Sequence, residues 1–153
     1  MEANLPTESI FGFDWRYLEL FLIAILLTSL TVITHYTFVN WIGTYFNKFW
    51  ANKNSIRSRK LVMVGIVGIL MTAHFVEVWI WALFSVLRGV IPSFMEAMYF
   101  SIASYTTLGE SGISLPRHWQ GLGGFEAMNA ILMFGWSTAV LAAVVVKMHD
   151  LGD

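Results

Sequence analysis

Residues 97–112 read Ala-Met-Tyr-Phe-Ser-Ile-Ala-Ser-Tyr-Thr-Thr-Leu-Gly-Glu-Ser-Gly. The stretch begins as a short amphipathic helix and ends in Thr106-Thr107-Leu108-Gly109, a run without helix-stabilising signals. Just upstream, Pro92 cannot continue a preceding helix. Ser93 is placed to cap a new one, and Glu96 three residues on completes a capping box. The helix expected over about 94–105 is too short to cross a bilayer. Downstream, Gly112, Pro116, Gly121, Gly123 and Gly124 mark an irregular return.

Apolar segments flank this stretch on both sides. The chain is 57% hydrophobic and 12% charged over 153 residues, about half the charge of a soluble domain. Its mean hydropathy is +0.65. These values place it among integral membrane proteins, with room for three spans at about 17–41, 61–87 and 125–147. A short helix between two spans must dip into the membrane and come back. Its extended return must then line water or protein rather than lipid. That is the layout of a pore loop, in which backbone carbonyls and ring-forming side chains face an ion. The C-terminal end of the helix points inward, and the negative end of its dipole favours a cation at mid-depth.

Charge sets the orientation. Lys48, Lys53, Arg57, Arg59 and Lys60 are five of the nine Lys and Arg, and they fall within 42–60 without an acid among them. The positive-inside rule puts this loop in the cytoplasm and the acidic N-terminus outside. Lys147 and His149 then bring the C-terminus inside. Phe11, Phe13 and Trp15 read as an aromatic belt before the first span. No basic n-region precedes the first apolar run, so a signal peptide is not expected. A net charge of −1 calls for no nucleic-acid partner, and the absence of cysteine excludes disulfides and thiolate chemistry. Residues 1–60 thus read as a periplasmic segment, an extra transmembrane helix and a basic cytoplasmic loop, and 61–150 as a pore domain.

Some polar residues lie within the spans. His35 reads as a hydrogen-bonded packing residue. His74 and Glu77, three apart, share a helix face. A His-x-x-Glu face could bind a metal or relay protons, but a metal site needs more ligands, and His35 is expected nearer the cytoplasmic end of its helix than His74. Glu77, with His74, is therefore expected to brace the pore helix through Ser101, Ser104 or Tyr105; in a sharper version a protonated Glu77 gates the pore. Gly65 and Gly68 form a small-residue face for helix packing. Gly135, Ser137, Thr138 and Ala139 supply small residues for close packing or cavity lining, with Gly135 a candidate hinge.

The chain resembles the pore unit of the potassium channel superfamily, most of all the small bacterial proteins described as two-pore-domain-like. The resemblance rests on several blocks in order: His74-Phe75-Val76-Glu77, Trp81-Ala82-Leu83-Phe84, Ala97-Met98-Tyr99-Phe100-Ser101, Thr106-Thr107-Leu108-Gly109, Leu115-Pro116 with Trp119, and Phe134-Gly135-Trp136-Ser137-Thr138-Ala139. It covers about 61–146. It implies an all-α homotetramer, because one pore unit per chain cannot close a pore, in a bacterial inner membrane. It also implies permeating potassium or sodium rather than a bound cofactor.

The filter departs from the family pattern of Thr-Val-Gly-aromatic-Gly-Asp. Thr107, Leu108 and Gly109 are followed by Glu110, Ser111 and Gly112. Ser111 carries a Cβ at the second glycine position, which makes a left-handed geometry there about 1–2 kcal/mol less favourable. The inner rings, from the Thr107 and Leu108 carbonyls and the Thr107 hydroxyl, are those expected to survive. Thr106 to Glu110 is also similar to the filter of cyclic-nucleotide-gated channels, Thr-Thr-Ile-Gly-Glu. The similarity implies a ring of four Glu110 carboxylates that draws cations, calcium and other divalents above all. A weakly selective cation pore with divalent binding follows.

Two rivals stand beside it. A non-conducting structural or interaction subunit would keep the fold and tolerate the altered filter. A membrane enzyme lacks support, because His-Glu-x-x-His is absent and His35, His74, His118 and His149 are spread over different depths.

Overall fold

The computed structural model describes residues 15–50, 56–109 and 111–150. Phe11, Phe13, Lys53 and Glu110, to which the sequence assigns roles, lie outside the described residues. Among the described residues the structure is helical, with no strand. Helix α1 spans Trp15–Trp50, α2 Ile56–Leu87, α3 Phe94–Tyr105 and α4 Leu122–Asp150, with a short 3-10 turn at Arg117–Trp119. Three helices are long and apolar enough to cross a membrane.

Helices α1 and α2 run past the apolar cores read from the sequence. Thirty-six residues make α1 about 54 Å long, well beyond the ~30 Å hydrocarbon layer. Backbone hydrogen bonding continues through the interface, where hydropathy no longer marks the helix. The basic residues Lys48, Arg57, Arg59 and Lys60 thus sit on helical backbone rather than in an open loop.

Helix α3 has the bounds expected from its capping signals. Ser93 is extended (φ −101°, ψ 130°), and its side chain accepts from the Glu96 amide. At about 18 Å, α3 reaches only part-way across the hydrocarbon. It packs between α2 and α4, while α1 packs on both α2 and α4. Its buried residues include Ala97, Phe100, Ser101, Ser104 and Tyr105.

The interior is layered by depth. One apolar cluster joins Leu20 and Leu27 of α1 to Trp81, Ile91, Phe100 and Trp119 around the start of α3. A second joins Ile42 and Phe46 of α1 to Val62, Ile66 and Leu70 of α2 and Met148 of α4. Buried polar side chains lie apart from both: Thr31, His35, Glu77, Ser101, Glu126, Asn129 and Ser137. Arg88 closes one end of the bundle by an ion pair with Glu19, joining the end of α2 to the start of α1.

Two glycines permit close approach. A Cβ on Gly65 would run into the Tyr45 hydroxyl of α1, whereas Gly68 has open space around it. The packing face expected at both positions is thus used at Gly65. In the first turn of α4, a Cβ on Gly123 would lie 2.8 Å from Ser104 Oγ and 3.1 Å from Phe100 Cζ. Gly123 is where α3 docks on α4.

Candidate functional site

The loop after α3 starts from the helix's own last carbonyls. The Thr106 amide donates to Ile102 O (2.9 Å), the Thr107 amide to Ser104 O (2.9 Å) and the Gly109 amide to Ala103 O (3.0 Å). Thr106 Oγ1 also donates to Ile102 O (2.7 Å). These bonds satisfy carbonyls that a helix C-terminus leaves open. Thr107 takes φ +60° and Gly109 φ +74°. Threonine is β-branched, and a left-handed conformation costs such a residue of order 1–3 kcal/mol. Thr106, Thr107, Leu108 and Gly109 are all exposed, so the single chain does not cover them.

The third left-handed residue of this region is Gly112 (φ +67°), and Ser111 is not left-handed. This corrects the strain expected at Ser111: the turn falls one residue later, where no Cβ opposes it. The Ser111 amide donates to Gly109 O (3.1 Å), which engages that carbonyl within the chain.

Behind the loop, four helices contribute to one buried ring of polar groups. His35 Nδ1 of α1 donates to Glu77 Oε1 of α2 (2.8 Å). Tyr105 Oη of α3 donates to Glu77 Oε2. His74 Nδ1 lies 2.9 Å from Tyr105 Oη and 3.4 Å from Glu77 Oε2. Ser137 Oγ of α4 lies 3.0 Å from His74 Nε2 and 3.3 Å from His35 Nε2. His35 and Glu77 are fully buried and His74 is 12% exposed. One ligand atom from each of His35, His74 and Glu77 lies within 4.8 Å of the other two, a separation a metal ion could bridge.

A second polar contact holds α3 from its other side. Ser101 Oγ donates to Glu126 of α4, both buried. One turn on, Asn129 Oδ1 accepts from Thr31 Oγ1 of α1 (3.0 Å).

The family model described as "Ion channel" matches residues 71–147. The chain belongs to the ion channel family. The matched part is a potassium-channel-like pore unit, comprising most of α2, the whole of α3 and its loop, and most of α4. Comparison with the curated proteins and with the solved structures gives no match.

The channel's polar ring contains His74 and Glu77 and reaches Tyr105, one of the three partners considered for Glu77. Ser101 is engaged by Glu126 instead. Ser137 faces inward to the two histidines, whereas Gly135, Thr138 and Ala139 are exposed on the other face of α4. Ala130, Met133 and Ser137 make the buried stripe, spaced three and four residues apart. Ser137 is therefore removed from the cavity-lining set read from the sequence.

The expected separation of His35 from His74 is overturned: their ring centroids are 5.3 Å apart. Because α1 continues to Trp50, His35 lies 15 residues from its C-terminal end, against 18 residues from the start of α2 to His74. Similar distances from the α1–α2 connection bring the two rings to one level. Glu126 and Asn129 were missed. Their signal was the i, i+3 pairing of two polar residues in an apolar helix, on the half of α4 nearer the loop.

Proposed function

We propose that this ion channel is a homotetrameric, weakly selective cation pore, with potassium and sodium permeating and divalent ions held at its outer mouth. In this reading the Thr107 and Leu108 carbonyls with the Thr107 hydroxyl form the inner filter rings beside Gly109. Four Glu110 carboxylates form the outer ring. The exposed face of α4, with Gly135, Thr138 and Ala139, turns toward the cavity or a neighbouring subunit. The likenesses to small bacterial two-pore-domain-like proteins and to cyclic-nucleotide-gated filters belong to this proposal. So does the placement in a bacterial inner membrane with the N-terminus outside and the C-terminus in the cytoplasm.

The observation that carries it is the left-handed Thr107, strained and uncovered, at the end of a half-span helix buried along one face. Such strain persists only where the surroundings enforce it, and ligand clamps are a usual setting. The negative end of the α3 dipole adds a favourable field for a cation at the same place.

Divalent block tests the glutamate ring. Tetramers in planar bilayers should be blocked by external calcium, and Glu110→Gln should relieve that block while sparing monovalent current. Equal block in both proteins would reject the ring.

A second reading is a non-conducting subunit. It is favoured by the Gly109 carbonyl, which is already engaged by the Ser111 amide. A verified tetramer that passes no current under varied voltage and pH would select it.

A further inference from the structure

We infer that His35, His74, Glu77 and Tyr105 form a binding site for a transition-metal dication of the zinc class, independent of the pore ring. The argument begins with hydrogen atoms. The ring contains five links: His35–Glu77, Glu77–Tyr105, Tyr105–His74, His74–Ser137 and Ser137–His35. With Glu77 a carboxylate and both imidazoles neutral, His35, Tyr105, His74 and Ser137 supply one hydrogen each, four in all. Glu77 takes those of His35 Nδ1 and Tyr105 Oη, and Tyr105 Oη takes that of His74 Nδ1. Both Nε2 atoms then present lone pairs to Ser137, which has one hydrogen. In that state one link is left unserved inside the bundle, and either a fifth hydrogen on an imidazole or a bound ion serves it.

A metal on the Nδ1 side removes the conflict. Each imidazole keeps its single hydrogen at Nε2, and both donate to Ser137 Oγ, whose two lone pairs accept them. The Nδ1 lone pairs, a Glu77 oxygen and Tyr105 Oη then face the ion. Ligating histidines commonly donate their other ring N–H to such a partner, which fixes ring orientation. Tyr105 keeps its hydrogen on the second Glu77 oxygen and offers a lone pair to the ion, while the carboxylate offsets one of the ion's two charges.

One ligand atom from each of His35, His74 and Glu77 lies within 4.8 Å of the other two. Tetrahedral zinc with bonds near 2.0–2.1 Å holds its ligand atoms about 3.3 Å apart. The hydrogen-bonded contacts, 2.8 Å from His35 to one Glu77 oxygen, 3.4 Å from His74 to the other, 2.9 Å from His74 to Tyr105 and a shorter one from Tyr105 to Glu77, would part around an ion. An apolar groove of about 190 Å³, lined in part by His74, Tyr105 and Phe134, leads to the partly exposed edge of His74. The site would clamp α1 to the pore unit next to Thr106.

The test uses the purified full-length protein after chelator treatment, titrated with Zn2+ against a colorimetric indicator and, separately, with Co2+. The expected result is one ion per chain, with visible d–d bands from tetrahedral Co2+. His35→Ala and His74→Ala should weaken binding more than 100-fold, and Ser137→Ala 10- to 100-fold. His118→Ala should bind as the parent does. Absence of Co2+ bands in the parent protein would overturn the site, whether or not the histidine variants fold. Tetrahedral Co2+ bands that survive both histidine variants would overturn it equally.

Discussion

Tyr105 donates a hydrogen bond to Glu77, and so ties the last turn of the pore helix to the second span one residue before Thr106. Tyr105 is 2% exposed and Glu77 fully buried, so neither group can exchange this partner for solvent. Tyr105→Phe keeps the ring and deletes the donor. The variant should assemble, with stability lowered by about 1 kcal/mol per chain, the scale of such bonds inside membranes. Its cation conductance should fall as the Thr106–Gly109 loop loses its anchor. Thermal melts and liposome flux on the same preparation check both.

Gly109→Ala probes the loop backbone. At φ +74° a Cβ meets no neighbour, so the cost is conformational, about 1–2 kcal/mol per chain. Conductance should be lost while the tetramer persists. Size-exclusion with cross-linking checks assembly, and liposome flux checks the loss.

Gly123→Val probes the docking of α3 on α4. Its side chain would press on Ser104 and Phe100, each already within 3.1 Å of a built Cβ. Stability should drop by about 1–3 kcal/mol, the range for overpacking. Gly124→Val, in open space one residue on, should be near neutral in the isolated fold. Similar melting losses in the two variants would contradict the assignment of the contact.

Glu126 is expected to act as a buried acceptor for Ser101. Glu126→Gln retains an oxygen for that hydroxyl and should fold close to the parent. Glu126→Ala leaves Ser101 unpaired and should cost about 1–3 kcal/mol. Comparison of the two melting temperatures isolates the loss of the acceptor.

The pore helix was legible in the sequence because its signals are local. Pro92, the Ser93 cap and the Thr-Thr-Leu-Gly run bound residues 94–105 without any tertiary information. The three spans were legible for a similar reason, since hydropathy depends on composition and length. The polar ring was only half legible. His74 and Glu77 announce themselves by spacing on one helix. The approach of His35 depends on how far α1 continues beyond its apolar core and on the packing of two antiparallel helices. Ser137 was placed among small residues because size was visible and facing was not. Which side of α4 turns inward follows from its contacts with α1, α2 and α3. The left-handed turn at Gly112 rather than Ser111 depends on where the chain bends back, which residue types alone leave open between adjacent positions.

The most direct test of the central claim is cation flux into liposomes containing the purified tetramer, comparing potassium with sodium, with and without external calcium. Both monovalent ions should pass at comparable rates, and calcium should suppress both. Potassium flux alone, insensitive to calcium, would contradict it.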